Sequence, residues 1–213
     1  MIKVNNLVKS YKTQEVLKGL NFEVERGDIY GFLGNNGAGK STTLNILTKL
    51  IKYESGSIEI SPSIGYLPEN PVFYDYMTAK EYLNFIGKLK SNASSRRSNE
   101  VLEQVGLNDC KRIKTYSRGM KQRLGLAATL YHNPDLLLLD EPSSALDPAG
   151  RKQMLELIKH LKNTGKTIFF SSHILDDVEK VCNKVGLLNK GIIQLEMSIQ
   201  ELKNYDSNTY NIE

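Results

Sequence analysis

Gly34-Asn35-Asn36-Gly37-Ala38-Gly39-Lys40-Ser41-Thr42 satisfies the pattern GxxxxGK[ST] at every fixed position. Glycines at 34, 37 and 39 admit φ values closed to other residues, so consecutive backbone N–H groups can converge on phosphate oxygens. Lys40 adds a point charge for the β- and γ-phosphates. The Ser41 hydroxyl stands ready to ligate Mg²⁺ at the start of a helix whose positive end favours anions. The flanks agree with this reading: Gly27 to Leu33 reads as a buried strand, and Thr42 to Ile51 as an amphipathic helix with Leu44, Ile46, Leu47, Leu50 and Ile51 on its apolar face. A mere glycine-rich turn requires neither flank.

The chain has 213 residues, which suits one α/β domain with a sizeable core and room for a small insertion. Its net charge of +4 is too small and too scattered to argue for a nucleic-acid partner. Cys110 and Cys182 lack metal or redox spacing, and Met1-Ile2-Lys3-Val4 is too short an apolar start for a signal peptide. These features predict a cytosolic compartment. No apolar run approaches the roughly 20 residues that cross a bilayer, so a membrane role requires a partner.

Along the chain, Ile2-Lys3-Val4 and Leu20 to Val24 alternate as short strands, with Tyr11 in a loop between them. A loop tyrosine is ordinarily a surface or edge residue. Ser57 to Ile60 and Ile64 to Leu67 read as two strands separated by a turn at Pro62. Thr78 and Glu81 form a capping box for a helix to about Lys90, a polar linker spans Ser91 to Ser98, and a second helix runs from about Ser95 to Val105, where Gly106 stops it. Ser117 caps a third helix, from Arg118 to Tyr131. Three helices without intervening strands read as a helical insertion in an alternating α/β chain. Leu136 to Leu139 is apolar on both faces, as a central parallel strand is, and ends in Asp140 and Glu141. Asp147-Pro148 opens a helix that Gly165 closes, and Thr167 to Ser171 is a strand ending at His173. A short helix lies around Leu175 to Cys182. A hairpin turns at Gly191, and Ser198 with Glu201 caps a last helix.

The chemistry follows from these placements. Asp140, delivered by an apolar strand, can hold Mg²⁺ through water beside Ser41, and Glu141 next to it can orient or deprotonate an attacking water. Adjacent acids after a strand are commonly a solvated strand end, but the phosphate loop gives these a partner. His173 can contact a γ-phosphate, although a single histidine is ordinarily structural.

At this point the sequence resembles the ATP-binding subunits of ABC transporters across essentially its whole length. GNNGAGKST from Gly34 matches Walker A, Tyr66-Leu67-Pro68-Glu69 lies where the Q-loop falls, and LLLLDEP from Leu136 matches Walker B. Tyr116-Ser117-Arg118-Gly119-Met120 lies where the signature falls, Ser144-Ala145-Leu146-Asp147 looks like the D-loop, and His173 like the switch histidine. The resemblance implies a P-loop NTPase (RecA-like) core with an antiparallel β subdomain. It also implies a single ATP-binding domain over 1–213, with a helical subdomain inserted at 69–131. Two subunits would sandwich two ATP molecules head to tail. Tyr11 would stack on adenine, and Gly34, Asn35, Asn36, Gly37, Ala38, Gly39, Lys40, Ser41 and Thr42 would hold the phosphates. Ser41, Asp140 and Glu69 would serve Mg²⁺, Glu141 would be the general base, and His173 would hold the γ-phosphate. Ser117, Arg118, Gly119 and Met120 would act in trans on the partner's ATP, with Asp147 in the D-loop beside them.

Three departures stand out: Glu69 replaces a glutamine, while Arg118 and Met120 replace a glycine and a glutamine of the signature. They look like the branch that includes bacterial drug, antibiotic-resistance and sodium exporters. The resemblance then implies a transmembrane permease partner, a homodimer or heterodimer of ATP-binding subunits, and a place on the cytoplasmic face of the cell membrane. Phe73, Tyr74 and Tyr76 would either line the groove for the permease or belong to the core of the insertion. Competing functions fit less well. DNA-maintenance relatives need a coiled-coil insertion and ribosome-acting ones two cassettes, so a soluble mechanical regulator is the alternative reading. A nucleotide switch would be expected to lose Glu141, and a kinase to carry an acceptor lid in place of the signature.

Overall fold

The computed structural model describes residues 1–90, 93–108, 110–144 and 146–209. Ser91 and Asn92 of the expected linker, and Ala145 of the D-loop, lie outside the described residues. Among the described residues the strands form two sheets. The smaller, in the order β2-β1-β4, is antiparallel and contains β1 (Ile2–Tyr11), β2 (Gln14–Val24) and β4 (Ser55–Ile60). The larger contains β3 (Ile29–Leu33), β5 (Ile64–Leu67), β6 (Leu136–Asp140), β7 (Thr167–Ser172), β8 (Lys184–Asn189) and β9 (Ile192–Ser198), in the order β5-β6-β7-β3-β8-β9. Its strands are parallel except β9, which returns antiparallel to β8 through the turn at Gly191.

The central strands β3, β6 and β7 of the larger sheet are buried on both faces, which explains their sequence. Along β6, Leu136 and Leu138 pack toward the small sheet, while Leu137 and Leu139 pack toward the helices; all four are inaccessible to solvent. On the first face Phe22, Tyr30, Phe32 and Phe169 form a cluster with ring centroids 5.0 to 5.8 Å apart. The opposite face is covered by α4 (Arg118–Leu130), α5 (Pro148–Asn163) and α6 (Leu175–Val181).

The first two strands are longer than their alternation suggests. Val4 and Leu7 are both buried although three residues apart, because the register with β2 shifts between them and Asn6 takes φ 47°. Its N–H is held by Asn21 Oδ1 at 2.9 Å. The bulge breaks the period-two signal, so the sequence shows fragments where the chain forms continuous strands. As a consequence Tyr11 is the last residue of β1, paired with Gln14 across a tight turn in which Lys12 has φ 55°. It is not in a loop.

Helix α1 (Lys40–Leu47) begins and ends earlier than the expected span of Thr42 to Ile51. Gly39, at φ 113°, releases the chain into the helix at Lys40, and Lys49 at φ 61° lies beyond its end, leaving Leu50 exposed. The helices α2 (Ala79–Leu89), α3 (Ser95–Gln104) and α4 follow β5 without an intervening strand, with a 3-10 turn at Ile113–Thr115. The capping box is complete: Thr78 Oγ1 accepts from Glu81 N, and Glu81 Oε2 accepts from Thr78 N at 2.8 Å. Ser94 caps α3, so the linker ends at 94 and not at Ser98, which is buried within that helix. The last helix, α7 (Ile199–Thr209), opens on reciprocal bonds between Ser198 and Glu201.

Close approach of α6 to the sheet depends on Gly31. A Cβ there would lie 2.5 Å from Val178 Cγ1 and 2.9 Å from Cys182 Sγ. Both neighbours are buried between helix and sheet, so neither can swing aside freely. Gly31→Ala is expected to destabilise the fold by about 1 to 3 kcal/mol, seen as a lower urea midpoint with an unchanged slope.

Candidate functional site

Four neighbouring strands, in the order β5-β6-β7-β3, deliver the candidate residues from their carboxyl ends: Glu69 after β5, Asp140 and Glu141 at β6, His173 after β7, and the phosphate loop after β3. This is the edge at which ligands of open parallel sheets collect. The loop is tied to its neighbours by Gly34 N donating to Ser172 O at 3.1 Å. Turn residue Gly191 bridges further: its N–H donates to Ala38 O and its carbonyl accepts from Lys18 N, each at 3.0 Å. A side chain at Gly191 would strike Val16 O, so only glycine lets the β8-β9 turn lie against β2. That contact brings the tip of the β1-β2 hairpin over the phosphate loop.

The result is a cleft of about 520 Å³ lined by Tyr11, Gln14, Val16, Asn35, Asn36, Gly37, Gly39, Lys40, Ser41, Thr42, Glu69, Glu141 and His173. Its size falls in the range of small-ligand and cofactor sites. Sequence alone did not point to Gln14 or Val16: Gln14 pairs with Tyr11 and Val16 falls at a register shift two residues on, in a hairpin whose irregular register conceals it. Gly34 and Ala38 of the run do not face the cleft: a Cβ at Gly34 would meet Leu188 O at 2.5 Å, and Ala38 is buried in the core between the sheets.

Charges inside the cleft are matched at close range. Lys40 Nζ donates to Gly34 O at 2.5 Å and lies 3.3 Å from Glu141 Oε1, with both side chains almost wholly buried. Glu141 Oε2 is 2.9 Å from His173 Nδ1. An ionised carboxylate can only accept, so Nδ1 then carries the proton. Glu141 Oε1 accepts no hydrogen bond among the described residues, and the residue holds φ 47°, a left-handed conformation that non-glycine residues avoid. Burial pushes the Asp140 carboxyl above its ordinary range and Glu141 adds to the rise, against hydrogen bonds from Ser171 and Ser41 and the charge of Lys40. Ser41 and Glu69 line the cleft and Asp140 ends the strand beside it, oxygen donors of the kind a hard divalent cation takes.

The signature segment stands apart. Ser117 caps α4, its Oγ accepting from Met120 N at 3.2 Å, and Ser117, Arg118, Gly119 and Met120 line no part of the cleft. Asp147 Oδ1 accepts from Gly150 N at 3.1 Å as the cap of α5, and is likewise outside it. The aromatic stretch divides between its two readings. Phe73 packs edge-on against Tyr82 in the helical core, whereas Tyr74 and Tyr76 are 47% and 62% exposed.

Behind the cleft, one buried carboxylate joins three segments. Asp177 of α6 accepts from Ser143 Oγ at 2.7 Å and from Arg151 Nε at 2.6 Å. It thereby fastens the residues after Glu141 and the helix capped by Asp147 to the helix after His173.

A family model described as ABC transporter matches residues 17–144. Among curated proteins the chain is 44% identical over 216 residues to the uncharacterized ABC transporter ATP-binding protein YxlF of Bacillus subtilis, covering 95% of this chain and 72% of that protein. It is 44% identical over 218 residues to the bacitracin transport ATP-binding protein BcrA of Bacillus licheniformis, covering 95% and 71%. With the linearmycin resistance ATP-binding protein LnrL of Bacillus subtilis it shares 36% identity over 208 residues, 90% and 67% of the two chains. Among solved structures, a dimeric ATP-binding cassette in a post-hydrolysis state with ADP and Pi superposes with a TM-score of 0.85 at 25% identity, covering 93% of this chain and 99% of that one. The chain belongs to the ABC transporter family. Within it, this protein is an ATP-binding subunit: an ATPase cassette that dimerises and powers transport through a transmembrane permease. No helix among the described residues is long and apolar enough to cross a membrane.

Removing the buried Asp177 carboxylate takes the acceptor from the Ser143 hydroxyl and leaves Arg151 with only the exposed Asp176 carboxylate, 3.6 Å away. Asp177→Ala is expected to cost about 3 kcal/mol in urea unfolding, more than loss of an exposed ion pair such as Lys180–Asp176 would.

Proposed function

We propose that this chain drives export with Mg-ATP bound in the cleft between the β1-β2 hairpin and the phosphate loop. The observation that carries the reading is the meeting of Lys40, Glu141 and His173 within one cleft roofed by Tyr11. In this account Tyr11 stacks on the adenine, and the backbone of Gly34 to Thr42 cradles the phosphates. The γ-phosphate takes Lys40 from Glu141, leaving Glu141 to accept a proton from the attacking water and His173 to steady the phosphate. Ser41, Asp140 and Glu69 would hold Mg²⁺ together with the nucleotide's own oxygens.

The signature completes the site from a second subunit. Ser117 and Gly119 lie at the start of α4, whose positive end suits the γ-phosphate across a homodimeric or heterodimeric interface, with Arg118 and Met120 beside them and Asp147 in the adjoining D-loop. Residues 1–213 act as one ATP-binding domain and 69–131 as its helical arm. Exposed Val72, Tyr74 and Tyr76 on that arm offer the permease an apolar contact. The subunit sits peripherally on the cytoplasmic face of the membrane and has no nucleic-acid partner, its charge of +4 being dispersed. Export of an antibiotic-like compound is favoured by the names of the bacitracin and linearmycin relatives, and no feature favours a non-transport regulator.

Tyr11→Ala is expected to weaken ATP binding by about 1 to 3 kcal/mol and Tyr11→Phe to leave it nearly unchanged, as calorimetry would read it. Equal affinities for all three proteins would make Tyr11 a bystander. Glu141→Gln keeps the side chain's shape while removing the base, so ATP binding should persist, turnover should stop and a dimer should accumulate. Sedimentation with saturating ATP reads this directly, and adding Ser117→Arg should abolish the dimer. A Glu141→Gln protein with wild-type turnover would overturn the assignment of the base.

A further inference from the structure

We propose that Ser171 is a positioning residue that sets the geometry of both acids, an inference resting on the reading of Asp140 as the metal-side carboxylate and Glu141 as the base. Ser171 is the register partner of Asp140 in the last pair of the β6-β7 ladder and is inaccessible to solvent. Its hydroxyl accepts from the Glu141 backbone N–H at 3.0 Å and donates to Asp140 Oδ1 at 2.7 Å. The direction is forced. A backbone N–H can only donate and takes one of the hydroxyl's two lone pairs, and an ionised carboxylate can only accept, so the hydroxyl proton goes to Asp140.

Each of these bonds holds something the strand ladder does not. The pairing of β6 with β7 stops at Asp140, so the buried N–H of Glu141 has no strand partner beyond it and takes the hydroxyl instead. That bond anchors a residue at φ 47°, and through this backbone turn Oε1 and Oε2 reach Lys40 and His173. The second bond engages Asp140 Oδ1 and fixes the plane of that buried carboxylate. An apolar residue at 171 would fill the same space in the sheet and leave both groups without their common partner. The adjacent Ser172 cannot substitute, because its hydroxyl is committed to the backbone of Ile174.

The test uses the full chain and four variants: Ser171→Ala, Ser171→Val, Ser171→Thr and Glu141→Gln. Valine and threonine have nearly equal volume, so any cost of the added methyl cancels between them and the hydroxyl is isolated. Ala and Val are expected to lower kcat by about tenfold or more with KM for ATP changed by less than about threefold, and Thr to recover most of the lost kcat. A second readout needs no turnover. By calorimetry, ATP affinity without metal should be equal in wild type and the Ser171 variants, while the Mg²⁺ concentration that half-maximally tightens ATP binding should rise severalfold for Ala and Val alone. Indistinguishable Thr and Val proteins, or an Ala protein with wild-type kcat and only a lower unfolding temperature, would overturn the proposal. Should Glu141→Gln be inert while Ser171→Ala is fully active, this inference alone fails; should Glu141→Gln turn over normally, the underlying reading of the base fails with it.

Discussion

Burial of the Lys40 ammonium against the Glu141 carboxylate is the interaction on which the arrangement of the site depends. Neither charge can be left alone in so dry a place, since an isolated buried ion costs several kcal/mol even after relaxation. Lys40 therefore folds back onto the carbonyls of Gly34 and Asn35 as well as toward Glu141, and Glu141 divides its two oxygens between Lys40 and His173. The same contacts span the ends of three adjacent strands. In the proposed mechanism a phosphate entering the cleft would compete with Glu141 for the lysine.

That charge cluster exists only because the sheet beneath it is apolar on both faces. Strand β6 carries four leucines into the two cores before it reaches Asp140, and the cluster of Phe22, Tyr30, Phe32 and Phe169 joins the small sheet to the large one. The rigid packing of such a core holds the strand ends in register. The site's precision is thus inherited from residues that touch no ligand. Gly191 and Gly31 serve the same end by removing side chains where a turn meets β2 and where α6 meets β3.

The signature segment stands apart from the cleft, and the proposed mechanism turns on that separation. Ser117 caps α4 on the helical arm and the cleft is lined without it, which is why the proposed site takes its signature residues from a second chain. The buried Asp177 links the segment after Glu141, the first turn of α5 and α6.

By itself the sequence determined everything set by short-range spacing: the phosphate loop, the capping boxes at Thr78 and Ser198, the proline-led helix at Pro148, the doubly apolar strand and its terminal acids. Those features are legible because their partners lie within a few residues, where backbone geometry alone dictates the contact. It left the first two strands fragmented, because the bulge at Asn6 shifts the inward face by one residue and erases the alternation that marks a strand. Only the tertiary structure decided that Tyr11 and Gln14 share the cleft with Lys40, that Phe73 is core while Tyr74 and Tyr76 are surface, and that Ser171 joins Asp140 to Glu141. The Ser171 bonds cross from β6 to β7 and the hairpin of Tyr11 and Gln14 belongs to the other sheet, so both depend on strand order and on how two apolar faces are covered, a property of the whole fold that no local pattern carries.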